Sequence, residues 1–94
     1  MPGSDSIRRS VLITNKRGLH ARASAKFVTL ASALPCEVAV EKDGAGSVTG
    51  TSIMGLMMLG AAMGDTIVIS ADGDGAEAAV GALAELVEAR FGED

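Results

Sequence analysis

The spacing of apolar residues along the chain changes several times and predicts an alternation of strands and helices. The apolar and β-branched run SVLIT, residues 10–14, predicts a first strand, and the polar turn NKRG follows it. From Ala21 the apolar positions recur at helical spacing until Pro35, which ends a first helix. Residues 36–43 alternate between apolar and polar side chains and predict a half-buried second strand.

The second half of the chain shows the same types of pattern. The segment GAG allows a tight reversal into a short strand, SVT, and GTS then leads into a second helix that ends at residues 64–65. TIVISA is the strongest strand in the sequence, and a last helix is predicted from about Ala76 to Phe91, with Asp74 as its N-cap. The order is β-α-β-β-α-β-α. Because the connections are short, we expect an α+β sandwich with an antiparallel sheet and helices on one face.

Composition places the chain among small globular proteins. Its 94 residues fit one domain over 1–94, in which residues 1–7 are predicted to form a flexible N-terminal extension. The chain has no tryptophan or tyrosine, which disfavours a nucleic-acid reader that stacks bases on aromatic side chains. The longest apolar stretch, IMGLMMLGAAM, is interrupted by glycine and too short to cross a bilayer, so we expect a soluble cytoplasmic protein.

Charge is distributed unevenly along the chain. Residues 1–26 contain six basic side chains and one acidic one, whereas residues 27–94 contain two basic and eleven acidic side chains. The basic group flanks His20, the only histidine, and would attract an anionic ligand or an acidic protein surface; a solvated basic face is the alternative. With one histidine and one cysteine, Cys36, neither a disulfide nor a zinc site is expected, and no cofactor is indicated.

His20 lies at the predicted start of the first helix, where the chemistry favours an anion. The free backbone N–H groups of the first turn and the helix dipole attract negative charge. The planar guanidinium of Arg22 matches phosphate oxygens, and Arg17 lies on the approach. Imidazole is a competent nucleophile at neutral pH. These parts suit phosphoryl transfer through a phosphohistidine, although a histidine that merely caps the helix would give the same local sequence.

Two segments give the chain a specific resemblance to a known family. NKRGLHARASAKFV, residues 15–28, resembles the active-site segment of HPr, the histidine-containing phosphocarrier family of the bacterial phosphoenolpyruvate-dependent phosphotransferase system. TSIMGLMMLG, residues 51–60, resembles the second signature of that family, and the gap between the two motifs matches. The element order fits from about residue 8 to residue 91. The resemblance implies an α+β open-faced β-sandwich with a four-stranded antiparallel sheet and three helices on one face.

The resemblance also implies roles for individual residues. His20 would be the phosphorylated histidine, Arg22 the arginine that stabilises the phosphate, and Ser52 a site of regulatory phosphorylation. Enzyme I would donate the phosphoryl group, an enzyme IIA-type domain would accept it, and an HPr kinase/phosphorylase modifies the serine in some bacteria. A sugar-uptake branch and a regulatory, nitrogen-type branch both remain open. The family usually has proline where this chain has Ala23. Alanine is compatible with a first helical turn, so we expect the turn to be retained.

Partner docking is expected on the first and second helices. Met54 and Met58 lie four residues apart on one helix face, and an exposed pair of methionines would form an adaptable docking surface. The basic side chains would complement an acidic rim and favour fast, weak association by a monomeric carrier. The candidate docking residues are Arg17, Lys26, Ile53, Met54, Leu56, Met57 and Met58.

Two other interpretations fit the same sequence less well. A purely regulatory binding module would use Ser52 as its switch and leave His20 without a role. A small-molecule- or RNA-binding α+β domain is disfavoured by the lack of aromatic side chains and by the net charge of -4. Ser52 is also a good N-cap residue, so that helix capping alone would explain it.

Overall fold

The computed structural model describes residues 6–93. Its elements are β1 (Ile7–Leu12), α1 (Ala21–Ser32), β2 (Val38–Lys42), β3 (Gly46–Thr49), α2 (Ile53–Met58), β4 (Thr66–Ala71), α3 (Ala76–Glu88) and a terminal 3-10 turn (Arg90–Gly92). The strands form one antiparallel sheet in the order β1-β4-β2-β3. The predicted α+β open-faced sandwich, with four antiparallel strands and three helices on one face, is confirmed.

The core lies between the sheet and the helices. Along each strand, alternate side chains point toward the helices, as the period of two requires. Strand β4 pairs with both β1 and β2 and therefore supplies the middle of the core. The largest fully buried apolar side chains are Phe27, Phe91, Ile13, Leu56, Ile67, Ile69, Leu83, Val40, Val80 and Val87.

The first strand begins earlier than the sequence pattern suggested. Ile7 already pairs with Ala71 of β4, so the predicted N-terminal extension does not reach residue 7; residues 1–5 lie outside the described residues. Beyond β1, Ile13 stays fully buried and its N–H donates to the carbonyl of Asp65 at 2.8 Å. The segment that leads to His20 therefore starts at edge strand β1 and is held beside the residue that precedes β4.

Helix ends differ from the sequence prediction wherever the backbone enters the left-handed region. Helix α2 ends at Met58, well before residues 64–65, because Gly60 has a φ of 66° that ends the helical path. The N-cap of α3 is Gly75, with a φ of 84°, and not Asp74. Helix α3 ends at Glu88 and not at Phe91, whose φ is 56°.

Candidate functional site

The turn before α1 is held from two sides. Gly18 has a φ of 61°, and the N–H of the next residue, Leu19, donates to the carbonyl of Ala61 at 3.0 Å. The side-chain amide of Asn15 donates to the carbonyl of Gly18 at 2.8 Å and closes the turn from inside. A Cβ on Gly18 would lie 2.3 Å from the Ala61 oxygen, so this close approach needs glycine. The turn therefore presents the following residue, His20, in a fixed position.

His20 is the N-cap residue of α1, but only its backbone serves the helix. Its carbonyl accepts the first helical hydrogen bond, from the N–H of Ser24 at 2.9 Å. The side chain makes no capping hydrogen bond and is 20 % exposed. Ala23, at the position where proline is usual in the resembling family, is fully buried in the first turn, and α1 begins at Ala21 without it. The imidazole is thus available for a contact other than capping.

The imidazole borders a shallow depression of about 240 Å³ that is lined mostly by cationic side chains. The lining residues are Lys16, Arg17, His20, Arg22 and Glu93. The structure thereby brings together three residues singled out in the sequence, namely His20, Arg22 and Arg17. Lys26, one turn further along α1, lies outside the depression, and its Nζ donates to the carbonyl of Phe91 at 2.7 Å. Basic side chains around one imidazole at a helix start suit a bound anion.

Glu93 is the site residue that the sequence analysis missed. Its Oε2 lies 2.5 Å from Nε2 of His20, and its Oε1 accepts a hydrogen bond from Nδ2 of Asn15 at 3.1 Å. Arg90, Phe91 and Gly92 precede it with φ angles of 59°, 56° and 77°, which turn the chain back toward α1. Nothing in the local pattern of RFGED indicates a return to a histidine 73 residues earlier.

The contact with Glu93 determines which imidazole nitrogen has a free lone pair. The hydrogen bond from His20 lowers the pKa of the Glu93 carboxyl below its usual value, and the hydrogen bond from Asn15 acts in the same direction against partial desolvation. The carboxylate is then ionised at neutral pH and only accepts hydrogen bonds, so Nε2 of His20 must be the donor. In the neutral ring this leaves the lone pair on Nδ1.

We expect the pKa of Glu93 to rise toward its usual value in the His20→Ala variant, because the main cause of the lowering is then gone. In the native protein the contact stabilises the fold at pH values above the ordinary glutamate pKa, and this stabilisation is lost as the pH falls through the lowered one. Carboxyl ¹³C NMR titration measures the pKa of Glu93 in the native protein and in the variant. An unchanged Glu93 midpoint in the variant would contradict the assigned cause.

Ser52 is the N-cap residue of α2, and its side chain serves the helix directly. Its Oγ accepts a hydrogen bond from the N–H of Gly55 at 2.9 Å. The residue is half-buried, with an extended backbone before the helix. The structure therefore places Ser52 where the sequence predicted it and gives its hydroxyl a capping role. A phosphate at this oxygen would have to replace the hydrogen bond to Gly55.

The large exposed side chains of α2 are all apolar. Met54 and Met58, predicted to lie on one face, are 69 % and 78 % exposed, and Ile53 and Met57 are exposed as well. Leu56 is 0 % exposed, so its predicted place on a docking surface is wrong. The helix has only six residues, and Leu56 is its one buried side chain, packed in the core. A contiguous exposed apolar surface of this kind is typical of a protein-interaction site.

Comparisons with known proteins agree on one family. A family model described as "PTS HPr component phosphorylation site" matches residues 7–89. The phosphocarrier protein HPr of Neisseria meningitidis is 48 % identical over 87 residues, which cover 93 % of this chain and 97 % of the relative. The phosphocarrier protein NPr of Shewanella violacea is 41 % identical over 87 residues, covering 93 % and 94 %. The crystal structure of HPr from Thermoanaerobacter tengcongensis superposes with a TM-score of 0.87 at 44 % identity and covers 94 % of this chain and 98 % of that one.

The fold, the histidine turn and these similarities define a phosphocarrier protein of the phosphoenolpyruvate-dependent phosphotransferase system. The chain belongs to the HPr family. Over the part of the chain that the structure describes, none of the helices has the length and apolar character needed to span a membrane.

Proposed function

We propose that this protein accepts a phosphoryl group on His20 from phosphorylated Enzyme I, ultimately from phosphoenolpyruvate, and passes it to an enzyme IIA-type acceptor. The observation that supports this most directly is the imidazole itself. Its ring does not cap the helix that it begins, and it borders a depression lined by Lys16, Arg17 and Arg22. Membership of the HPr family supports phosphoryl transfer as the reaction class, and the side chains that line the depression are suited to it.

The residues around His20 can stabilise the transferred group by charge and by position. In the proposed step a nitrogen lone pair of His20 forms a bond to phosphorus while the bond between phosphorus and the donor breaks, and that electron pair leaves with the donor. Charge accumulates on the phosphoryl oxygens, where Arg22 and Arg17 provide fixed positive charge and the start of α1 provides free N–H groups. In the transfer to the acceptor, the nitrogen–phosphorus bond breaks, its electron pair returns to the imidazole, and the same groups stabilise the phosphoryl oxygens. No cofactor takes part in either proposed step.

Partner docking is proposed on the exposed side chains of α1 and α2. Ile53, Met54, Met57 and Met58 provide an adaptable apolar surface, and the exposed side chains of Arg17 and Lys26 provide positive charge. Charge complementarity raises the rate of encounter more than the affinity, which suits a carrier that meets two partners in turn. One such face on a monomer can serve both Enzyme I and the acceptor, provided that they bind one after the other.

Ser52 is proposed as a regulatory phosphorylation site for a kinase of the HPr kinase/phosphorylase type. A phosphate there would add about two negative charges at the start of α2, next to the apolar docking side chains. It would weaken the binding of a partner whose rim is acidic. The similarity to both an HPr and an NPr is compatible with a sugar-uptake branch and with a nitrogen-type branch. Genes next to this one for a membrane sugar permease would favour the first, and genes for regulatory IIA components the second.

The test of the proposal is the chemistry of the phosphorylated protein. Incubated with phosphoenolpyruvate and Enzyme I, the protein should take up one phosphoryl group in a bond that is labile in acid and stable in base, as expected for a nitrogen–phosphorus bond. Transfer onward to a IIA-type domain should restore the unmodified protein. An acid-stable product would instead indicate a serine ester and would favour the purely regulatory module switched at Ser52.

A further inference from the structure

The segment after α3 is built to bring one carboxylate to His20. Arg90 and Phe91 are non-glycine residues in the left-handed region, which L-residues rarely adopt without support from the surrounding structure. Two contacts support them here: the ring of Phe91 is 1 % exposed in the core, and its carbonyl accepts the hydrogen bond from Lys26. The backbone conformation is therefore maintained by packing that does not involve His20, and it sets the position of Glu93.

Both carboxylate oxygens of Glu93 have a defined partner. Oε2 contacts Nε2 of His20 and Oε1 contacts Nδ2 of Asn15, which is itself 2 % exposed and bonded to the turn at Gly18. The carboxylate thus bridges the imidazole and the amide that closes the turn. A carboxylate that accepts a hydrogen bond from one nitrogen of a reactive imidazole fixes the tautomer and orientation of the ring. It also stabilises positive charge that develops on the ring.

We propose that Glu93 is a positioning residue for the phosphoryl transfer at His20, holding the proton on Nε2 so that Nδ1 presents its lone pair to phosphorus. This inference rests on the proposed function of His20. In the step, Nδ1 forms the bond to phosphorus, the bond between phosphorus and the donor breaks with its electron pair going to the donor, and the Nε2 proton stays in its hydrogen bond to Glu93. The positive charge that the ring gains is then next to a carboxylate.

Glu93→Ala should change the tautomer of His20 before any phosphoryl transfer takes place. Because His20 is the only histidine, ¹⁵N-histidine labelling reports a single ring. At a pH where the ring is neutral, the ¹⁵N shifts of the native protein should show the proton on Nε2 alone, and the variant should move toward the mixture of a free imidazole. Glu88→Ala is the matched control, since Glu88 pairs with Arg9 on the exposed surface and should leave the shifts unchanged.

The transfer rate provides the second readout. With phosphorylated Enzyme I as donor, Glu93→Ala should lower kcat roughly tenfold, the effect of losing one charge-assisted hydrogen bond, while KM stays within about twofold. Identical His20 shifts in the native protein and in Glu93→Ala would overturn the proposal, as would shifted resonances with an unchanged kcat. If the native protein accepted no phosphoryl group, the proposed function would fail, whereas the ¹⁵N shifts would still decide whether Glu93 sets the tautomer.

Discussion

His20→Ala should accept no phosphoryl group from Enzyme I and phosphoenolpyruvate, a loss of at least roughly 10³-fold that removal of the nucleophile entails. The fold should persist, because His20 begins α1 with its backbone carbonyl, which alanine retains, and its side chain makes no capping bond. The measurement is phosphate incorporation at a fixed time, beside a far-UV circular dichroism spectrum that shows the fold intact.

Two further variants make this result specific. Glu88→Ala, at the end of α3 and away from the depression, should incorporate phosphate at the native rate. Arg22→Ala should keep the nucleophile and lose one fixed positive charge, so that phosphate incorporation is slowed but not abolished. Equal incorporation by the native protein and by His20→Ala would refute the assignment of His20 as the phosphorylated residue.

Gly18→Ala should be the most damaging small substitution in the turn, with the free energy of unfolding lowered by about 3–5 kcal/mol. The new Cβ would lie 2.3 Å from the Ala61 oxygen and 2.8 Å from the Cα of Ala62, which are backbone atoms that cannot rotate away. The residue would also have to keep a φ of 61°. The hydrogen bond between Leu19 and Ala61 would be lost with the close approach, and chemical denaturation measures the total effect.

Gly60→Ala is a matched control for the backbone contribution. Gly60 has almost the same φ, 66°, but a Cβ there would meet nothing within 4 Å. This variant should lose only the conformational preference of glycine, about 1 kcal/mol. If the two variants were equally destabilised, the contact between the turn and Ala61 would contribute nothing to stability.

Much of the site could be predicted from sequence because its residues are close along the chain. His20 and Arg22 belong to one turn and one helix start, so that the motif containing them already implies their proximity. The spacing of Met54 and Met58 predicts that they share a helix face, and the structure shows that both are exposed. The element order and the antiparallel sheet followed from short connections between patterns of period 2 and period 3.6.

The errors lie where tertiary packing outweighs local pattern. Gly75, and not Asp74, caps α3, because a left-handed residue there sets the direction of the helix. In sequence, Leu56 fits an apolar docking surface as well as its neighbours do, but in the structure its side chain is buried in the core. Glu93 reaches His20 through left-handed backbone at Arg90 and Phe91, and neither residue type favours that conformation.

The central place of β4 has a consequence for the way the protein is made. Strand β1 is synthesised first, yet its neighbour in the sheet is the last strand to leave the ribosome, after α1, β2, β3 and α2. The turn that presents His20 depends on the segment just before β4, through the hydrogen bonds of Ile13 to Asp65 and of Leu19 to Ala61. Non-local pairing of this kind makes folding wait for nearly the whole chain. A nascent chain that ends before this segment therefore has its histidine but lacks the contacts that hold the turn around it.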